Sequence, residues 1–348
     1  MEIPPFTGSR LWTDWGWTPI SDALVCVALV GYLVGVVLVR RGGARWSVLR
    51  TGCFLAGLAV LVVSLDSAID PYSRVLFWMH MVRHLLLITV VPALLVLGHP
   101  LDLLNSTGPR GRRLVAALRA NPLVALLTHP LIAFVIYGVV LVCTHLTGFM
   151  NAMPTHHWLH PFEQALYVVS GYLFLQPLLA REPIRWNPPY PARFGLLLIS
   201  MVIDAFVGLT LMLTPHDPFP ALAAMRSGWG PSPVDDLHIG GALMWAGGDG
   251  LMAIAAFLLI AEWVNDKDRQ DDMGVFLEGA RRGALAGIGG DLDTQSTIHD
   301  SVDVDDDDEV LLAYNRMLAA LDERSGSART TSRPSSAADH SSGPSRPA

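Results

Sequence analysis

Long apolar runs, separated by short polar stretches, dominate the first three quarters of the chain. A helix needs about 20 apolar residues to cross the hydrocarbon core of a bilayer. Seven runs reach or approach that length: roughly 20–39, 48–65, 75–98, 127–147, 163–180, 193–214 and 237–264. The pattern predicts an all-α polytopic membrane protein with seven transmembrane helices. The second and fifth runs are short. In the fourth, Pro130 argues for a break where an early helix start would otherwise run through it.

Four parts follow from this pattern. Residues 1–19 form an extracytoplasmic N-terminal segment, and 20–264 form the seven-helix domain. Residues 265–324 form an acidic cytoplasmic tail, in which 306–323 places apolar residues at helical spacing behind an acidic start. Residues 325–348, rich in Ser, Pro, Arg and Ala, read as disordered. The opening residues lack a basic stretch before the first apolar run, so that run reads as a retained helix and not a cleaved signal.

Composition narrows the class. The chain has 348 residues, 51% of them hydrophobic and 16% charged, which excludes a large soluble core. Its net charge of −7 is uneven: residues 265–348 carry a balance of −8 and the rest a balance of +1. No basic field points to nucleic acid. Cys26, Cys53 and Cys143 all lie in apolar runs with no spacing of a disulfide framework or zinc motif; Cys26 and Cys143 read as small hydrophobes.

Arginines give the direction of threading. Arg40, Arg41, Arg45 and Arg50 follow the first run, Arg110, Arg112, Arg113 and Arg119 the third, and Arg181, Arg185 and Arg193 the fifth. The alternate connections hold only Arg10, Arg74 and Arg226. The positive-inside rule then places the N-terminus outside and the C-terminus in the cytoplasm. Trp12, Trp15 and Trp17 suit an outer interfacial anchor.

With this orientation, eight of the twelve histidines fall on the outer side: His80, His84, His145, His156, His157, His160, His216 and His238. His80 and His84 are one turn apart and share a helix face, so both can ligate one transition metal. The spacing is that of H-E-x-x-H, but Met81 stands where a catalytic Glu would be, which removes a protease reading. His157 and His160, near Met150 and Met153, suit copper, because thioethers favour Cu(I). His238 follows Asp235 and Asp236, which can orient an imidazole toward a metal. Gly240, Gly241, Gly247, Gly248 and Gly250 allow a close helix approach. Three charges lie inside apolar runs, Arg83, Asp204 and Asp249. Unpaired they are costly, so an intramembrane ion pair of Arg83 with Asp204 or Asp249 is expected.

Two stretches carry a resemblance. "HMVRHLLLITVVPALLVLGHPL" is similar to the H-M-x-x-H-L-L…P-x-L-L-V-L-G-x-P signature of the bacterial CtaG family, assembly factors for caa-type cytochrome c oxidase. "DDLHIGGALMWAGGDGLM" resembles that family's final-helix stretch, D-x-x-x-G-G-x-x-M-W. The resemblance covers about residues 20–265. It implies a non-enzymatic factor of the bacterial cell (inner) membrane that partners oxidase subunits, receives copper from a donor protein and delivers it. On that reading His80 and His84 hold copper, His157 and His160 accept or pass it, and Met150 or Met153 stabilises Cu(I). Three other readings stay open. One is a haem protein ligated by His84 with His145 or His238. Another is a purely structural partner of the oxidase, and the last is a transporter using Arg83, Asp204 and Asp249.

Overall fold

The computed structural model describes residues 3–225 and 228–266, so the predicted tail helix at 306–323 and the disordered end lie outside the described residues. Met1–Trp263 is one compact unit, and Val264–Ala348 is a second, of which only the first residues are described. The described residues are helical, with no strand among them.

Seven principal helices follow one another. They are α1 (Pro19–Arg41), α2 (Val48–Asp66), α3 (Phe77–Leu85, continuing through Leu86–Val90 into Val91–Leu97), α4 (Pro130–His145), α5 (Leu159–Leu179), α6 (Tyr190–Leu213) and α7 (Pro233–Ala242, continuing through Leu243–Gly247 into Gly248–Asn265). Shorter helices Pro100–Ser106, Pro109–Ala120 and Pro122–Leu127 connect α3 to α4. Proline opens α1, α4, α7 and all three connectors, where its fixed φ suits the first turn and its missing N–H costs nothing. Pro130 therefore starts α4, as the sequence indicates.

Five helices are long and apolar enough to cross a membrane: α1, α2, the stretch Phe77–Ser106, α6 and the stretch Pro233–Asn265. The other two differ from expectation. At 16 residues, α4 is about 24 Å long by the helical rise. The 21 residues of α5 include His160, Glu163, Gln164 and Gln176, which lower its apolar content. Outward-facing Ile20, Val27, Leu213 and Phe257 are each 70% exposed or more. An apolar surface of that extent is at home in lipid.

Close approach explains several glycines. A Cβ on Gly241 would lie 2.6 Å from Met212 N, and one on Gly208 would lie 2.8 Å from Trp245 N, so α6 and α7 cross backbone to backbone. Gly240 accommodates the ring of Phe77, and Gly247 accommodates Leu85. Gly250 has open space around it, so its expected packing role is not borne out.

Each of α3 and α7 contains one π-helical turn, Leu86–Val90 and Leu243–Gly247. Asp236 of α7 reaches across to the start of α3. Its two carboxylate oxygens accept from Phe77 N and Trp78 N, each at 3.0 Å. Leu76 stands at the cap position and has no side chain to do this. The acidic residue thus caps a neighbouring helix, where both its hydrogen bonds and its charge are favourable.

At the arginine-rich end, Glu182 is buried and its Oε1 accepts from Leu101 N at 2.9 Å. Gln176 Nε2 donates to its Oε2 at 3.4 Å. Burial pushes this carboxyl up to about 7, against the backbone donor at Leu101 and the Gln176 amide, which favour the ionised form. The folded state therefore prefers neutral Glu182. Its contribution is fully present below the unfolded value of about 4.3 and is lost as pH rises through about 7. The melting temperature in detergent should fall between about pH 4 and 7 and level off above. Glu182→Gln should flatten that decline; an unchanged slope assigns it to another group.

Candidate functional site

Antiparallel alternation brings the start of α3, the end of α4 and the start of α5 together at one end of the bundle. The arginine-bearing connections after α1, α3 and α5 lie at the other end, where Arg50, His99, Arg181 and Glu262 line one cavity.

At the first end, His80 and His84 occupy successive turns of α3, as their spacing predicts, and are each 2% exposed. His145, the last residue of α4, packs its ring edge-on against both, with centroids 6.0 Å from His80 and 4.7 Å from His84. Tyr167 of α5 contacts His84 edge-on at 4.5 Å and stacks on His145 at 6.2 Å. Its hydroxyl donates to Glu163 Oε1 at 2.9 Å. The same oxygen lies 3.6 Å from His80 Nε2, too far for a hydrogen bond.

The nitrogens of this cluster decide its chemistry. His145 Nδ1 lies 2.9 Å from the Leu141 carbonyl and 2.9 Å from Thr144 Oγ1. The neutral tautomer that donates Nδ1–H to the carbonyl carries its lone pair on Nε2. That Nε2 is buried without a hydrogen-bond partner, as are His84 Nδ1 and both ring nitrogens of His80. Buried polar atoms are nearly always paired, so four such imidazole nitrogens in one contact cluster are unusual. Neutral imidazole lone pairs in a buried site, with one carboxylate and one phenol beside them, suit a borderline or soft metal ion. Among the described residues, no group of three His, Cys, Asp or Glu side chains is already arranged to hold a metal. Closing these rings on one ion requires rotation of side chains.

Of the other expected ligands, His160 in the first turn of α5 stays beside the cluster: it is half-buried, its Nδ1 is buried without a hydrogen-bond partner, and it is close enough to His80 to interact electrostatically with it. The rest fall elsewhere. His157 is exposed. Met150 and Met153 are buried in the apolar core with Leu159 and Phe219. His238 Nε2 is 2.9 Å from the Thr214 carbonyl, which occupies it. Asp236 caps α3 instead of orienting His238. Cys26 and Cys143 are exposed on the bundle's outer surface.

The intramembrane ion pair is also different from the expected one. Arg83 Nη2 lies 2.6 Å from Asp70 Oδ1, and Nη1 donates to Ser73 Oγ at 3.0 Å. Asp70 and Ser73 belong to the short helix Ile69–Ser73 between α2 and α3. Asp204 instead accepts from Tyr137, whose hydroxyl is 3.2 Å from both carboxylate oxygens. Asp249 Oδ1 has no hydrogen-bond partner. Arg83 lies less than two helical turns from the outer end of α3, where the carboxylate of the short helix reaches it.

His145 and Glu163 carry no spacing in the sequence that joins them to His80, and only the packing of three helices brings them together. The rings of His84 and His145 touch directly, which leaves no space for a porphyrin between them and removes that pair as axial haem ligands.

A helical bundle with five membrane-length helices and a buried histidine cluster at one end defines the class. The chain belongs to the cytochrome c oxidase caa3 assembly factor family (Caa3_CtaG), whose model matches residues 30–266. Curated relatives include an uncharacterized protein of Mycobacterium leprae, 31% identical over 278 residues, which are 77% of this chain and 42% of that protein. Uncharacterized proteins of Mycobacterium bovis and Mycobacterium tuberculosis are each 31% identical over 280 residues, 78% of this chain and 42% of theirs. The chain thus spans about two fifths of the length of these relatives. No solved structure matches it.

Proposed function

We propose that the chain assists assembly of a caa3-type cytochrome c oxidase at the bacterial cell membrane by holding copper in transit. The copper is cargo, transferred by ligand exchange and not by catalysis. It is received from a donor protein and passed to an oxidase subunit. Seven spans, with the N-terminus outside and the C-terminus in the cytoplasm, put the histidine cluster at the outer face.

Family membership supports the oxidase as partner. The observation that carries the copper reading is the set of four buried imidazole nitrogens, on His80, His84 and His145, left without partners at the end opposite the arginine-rich connections. His145 joins His80 and His84 as a third holding residue, and His160, half-buried beside them, is the residue to accept or pass the ion. Its backbone-fixed ring is the natural anchor, with His80 and His84 turning toward it.

The test is Cu(I) loading of the detergent-purified full chain, followed by desalting and metal analysis. His84→Ala/His145→Ala should lower retained copper by more than about tenfold, the scale of losing metal-site groups, with helix content unchanged. Membranes from cells carrying that variant should hold oxidase protein of low copper content and low activity. Equal copper in variant and wild type ends the site assignment. Full oxidase activity in the variant turns the protein into a scaffold.

A further inference from the structure

The arginine-rich end holds a second feature that copper handling does not use. Between α5, the helices Pro109–Ala120 and Pro122–Leu127, and the loop 180–189 lies a cavity of about 220 Å³. Leu101, Val115, Val124, Leu173 and Ile184 make its walls largely apolar. The loop that closes it is fixed in place. Trp186 Nε1 donates to the Ala125 carbonyl at 2.6 Å, and the indole packs edge-on against His129 at 4.6 Å.

Two cations stand at the rim. Arg119 and Arg185 both line the cavity and are exposed. Neither forms an ion pair with an acidic group among the described residues. Gln176, which also lines the space, keeps a buried Oε1 without a hydrogen-bond partner. The helix that supplies Arg119 carries three more arginines, Arg110, Arg112 and Arg113, and its Val115 is buried while Leu114 is exposed. That is the make-up of a helix lying in the membrane interface.

Arg185 packs over the ring of Trp186, 5.4 Å from its centroid, without an anion beside it. A hollow with apolar walls and two guanidinium groups free of ion pairs at its mouth is complementary to an amphiphile with a hydrocarbon tail and an anionic head. For a chain with membrane-length helices, anionic phospholipid is the matching molecule at hand, and basic pockets between helices are suited to such headgroups. We infer that this cavity seats an anionic phospholipid, with the upper part of one acyl chain in the hollow and the phosphate between Arg119 and Arg185. Binding would hold the 180–189 loop against the connector helices. The inference rests on this end of the molecule alone and is independent of the copper reading.

The experiment uses the full chain in detergent, with native mass spectrometry and thermal melting as readouts. The probes are dioleoyl phosphatidylglycerol, dioleoyl phosphatidylcholine, oleate and sn-glycerol 3-phosphate. Phosphatidylglycerol should remain bound and raise the melting temperature, and the other three should bind far more weakly. Arg119→Gln/Arg185→Gln should weaken phosphatidylglycerol about thirtyfold, two cations' worth of headgroup attraction, with unchanged melting of the lipid-free protein. Arg110→Gln/Arg112→Gln, on the same helix but outside the cavity, should keep the affinity. Equal binding of the two phospholipids overturns the proposal, as does an equal loss in the Arg110/Arg112 variant. Oleate binding as tightly as phosphatidylglycerol replaces the phospholipid with a carboxylate amphiphile. Glycerol phosphate binding as tightly removes the cavity from the interaction.

Discussion

Asp70→Ala is expected to destabilise the bundle by about 3–5 kcal/mol, the range found when one partner of a buried ion pair is removed. The reason is asymmetry. Arg83 is 2% exposed and its guanidinium sits 2.6 Å from Asp70 Oδ1. Without the carboxylate, a buried cation keeps one hydrogen bond, to Ser73, and loses its nearest counter-charge, with Glu163 the remaining acidic neighbour. The second pair of Asp70, with Arg74 at 2.7 Å, is largely solvent-exposed on the arginine side and contributes at most about 1 kcal/mol. Asp70→Ala/Arg83→Met should recover most of the loss, because an apolar side chain has no charge to leave unpaired. Thermal or denaturant unfolding in detergent reads both variants. If Asp70→Ala melts within error of the wild type, Arg83 does not depend on that pair.

Gly171→Val is expected to cost at least about 3 kcal/mol, the upper part of the range for overpacking. A Cβ on Gly171 would collide with the Ile88 carbonyl and lie 2.9 Å from Pro92 Cγ. The obstacle is mainly backbone, so no side-chain rotation relieves it. Separating α5 from α3 would also pull Tyr167 and Glu163 away from His84 and His80. The variant should therefore lose both melting temperature and copper retention. Gly195→Ala is the control: nothing lies within 4 Å of its added Cβ, and alanine is the better helix former. Wild-type behaviour of Gly171→Val would show that the two helices are not in contact there.

Much of the framework was legible in the sequence. The apolar runs located all seven principal helices, Pro130 marked the start of α4, and the glycines at 240, 241 and 247 signalled close packing. The His80/His84 pair was legible because helical periodicity alone puts both on one face. What was not legible depends on contacts between segments far apart in the chain. Arg83 and Asp70 are close in number but separated by a turn whose path no periodicity specifies. His145 and Glu163 join the cluster only through the packing of α4 and α5 on α3. Asp236 was read as a support for His238 because the two are neighbours in sequence, whereas its partners are two amides 158 and 159 residues away.

The π-helical turns in α3 and α7 have a further consequence. Each takes in one residue more than an ordinary turn, which rotates everything beyond it by about 100° relative to an unbroken helix. In α3 the extra residue falls just after His84. The portion before it can aim its polar side chains at the interior while the portion after it directs aliphatic ones there, without either compromising the other's phase. Deleting a single residue within 86–90 would reset that phase and turn the inward face by about 100° along the remainder of the rod, a far larger change than any one substitution in the same stretch.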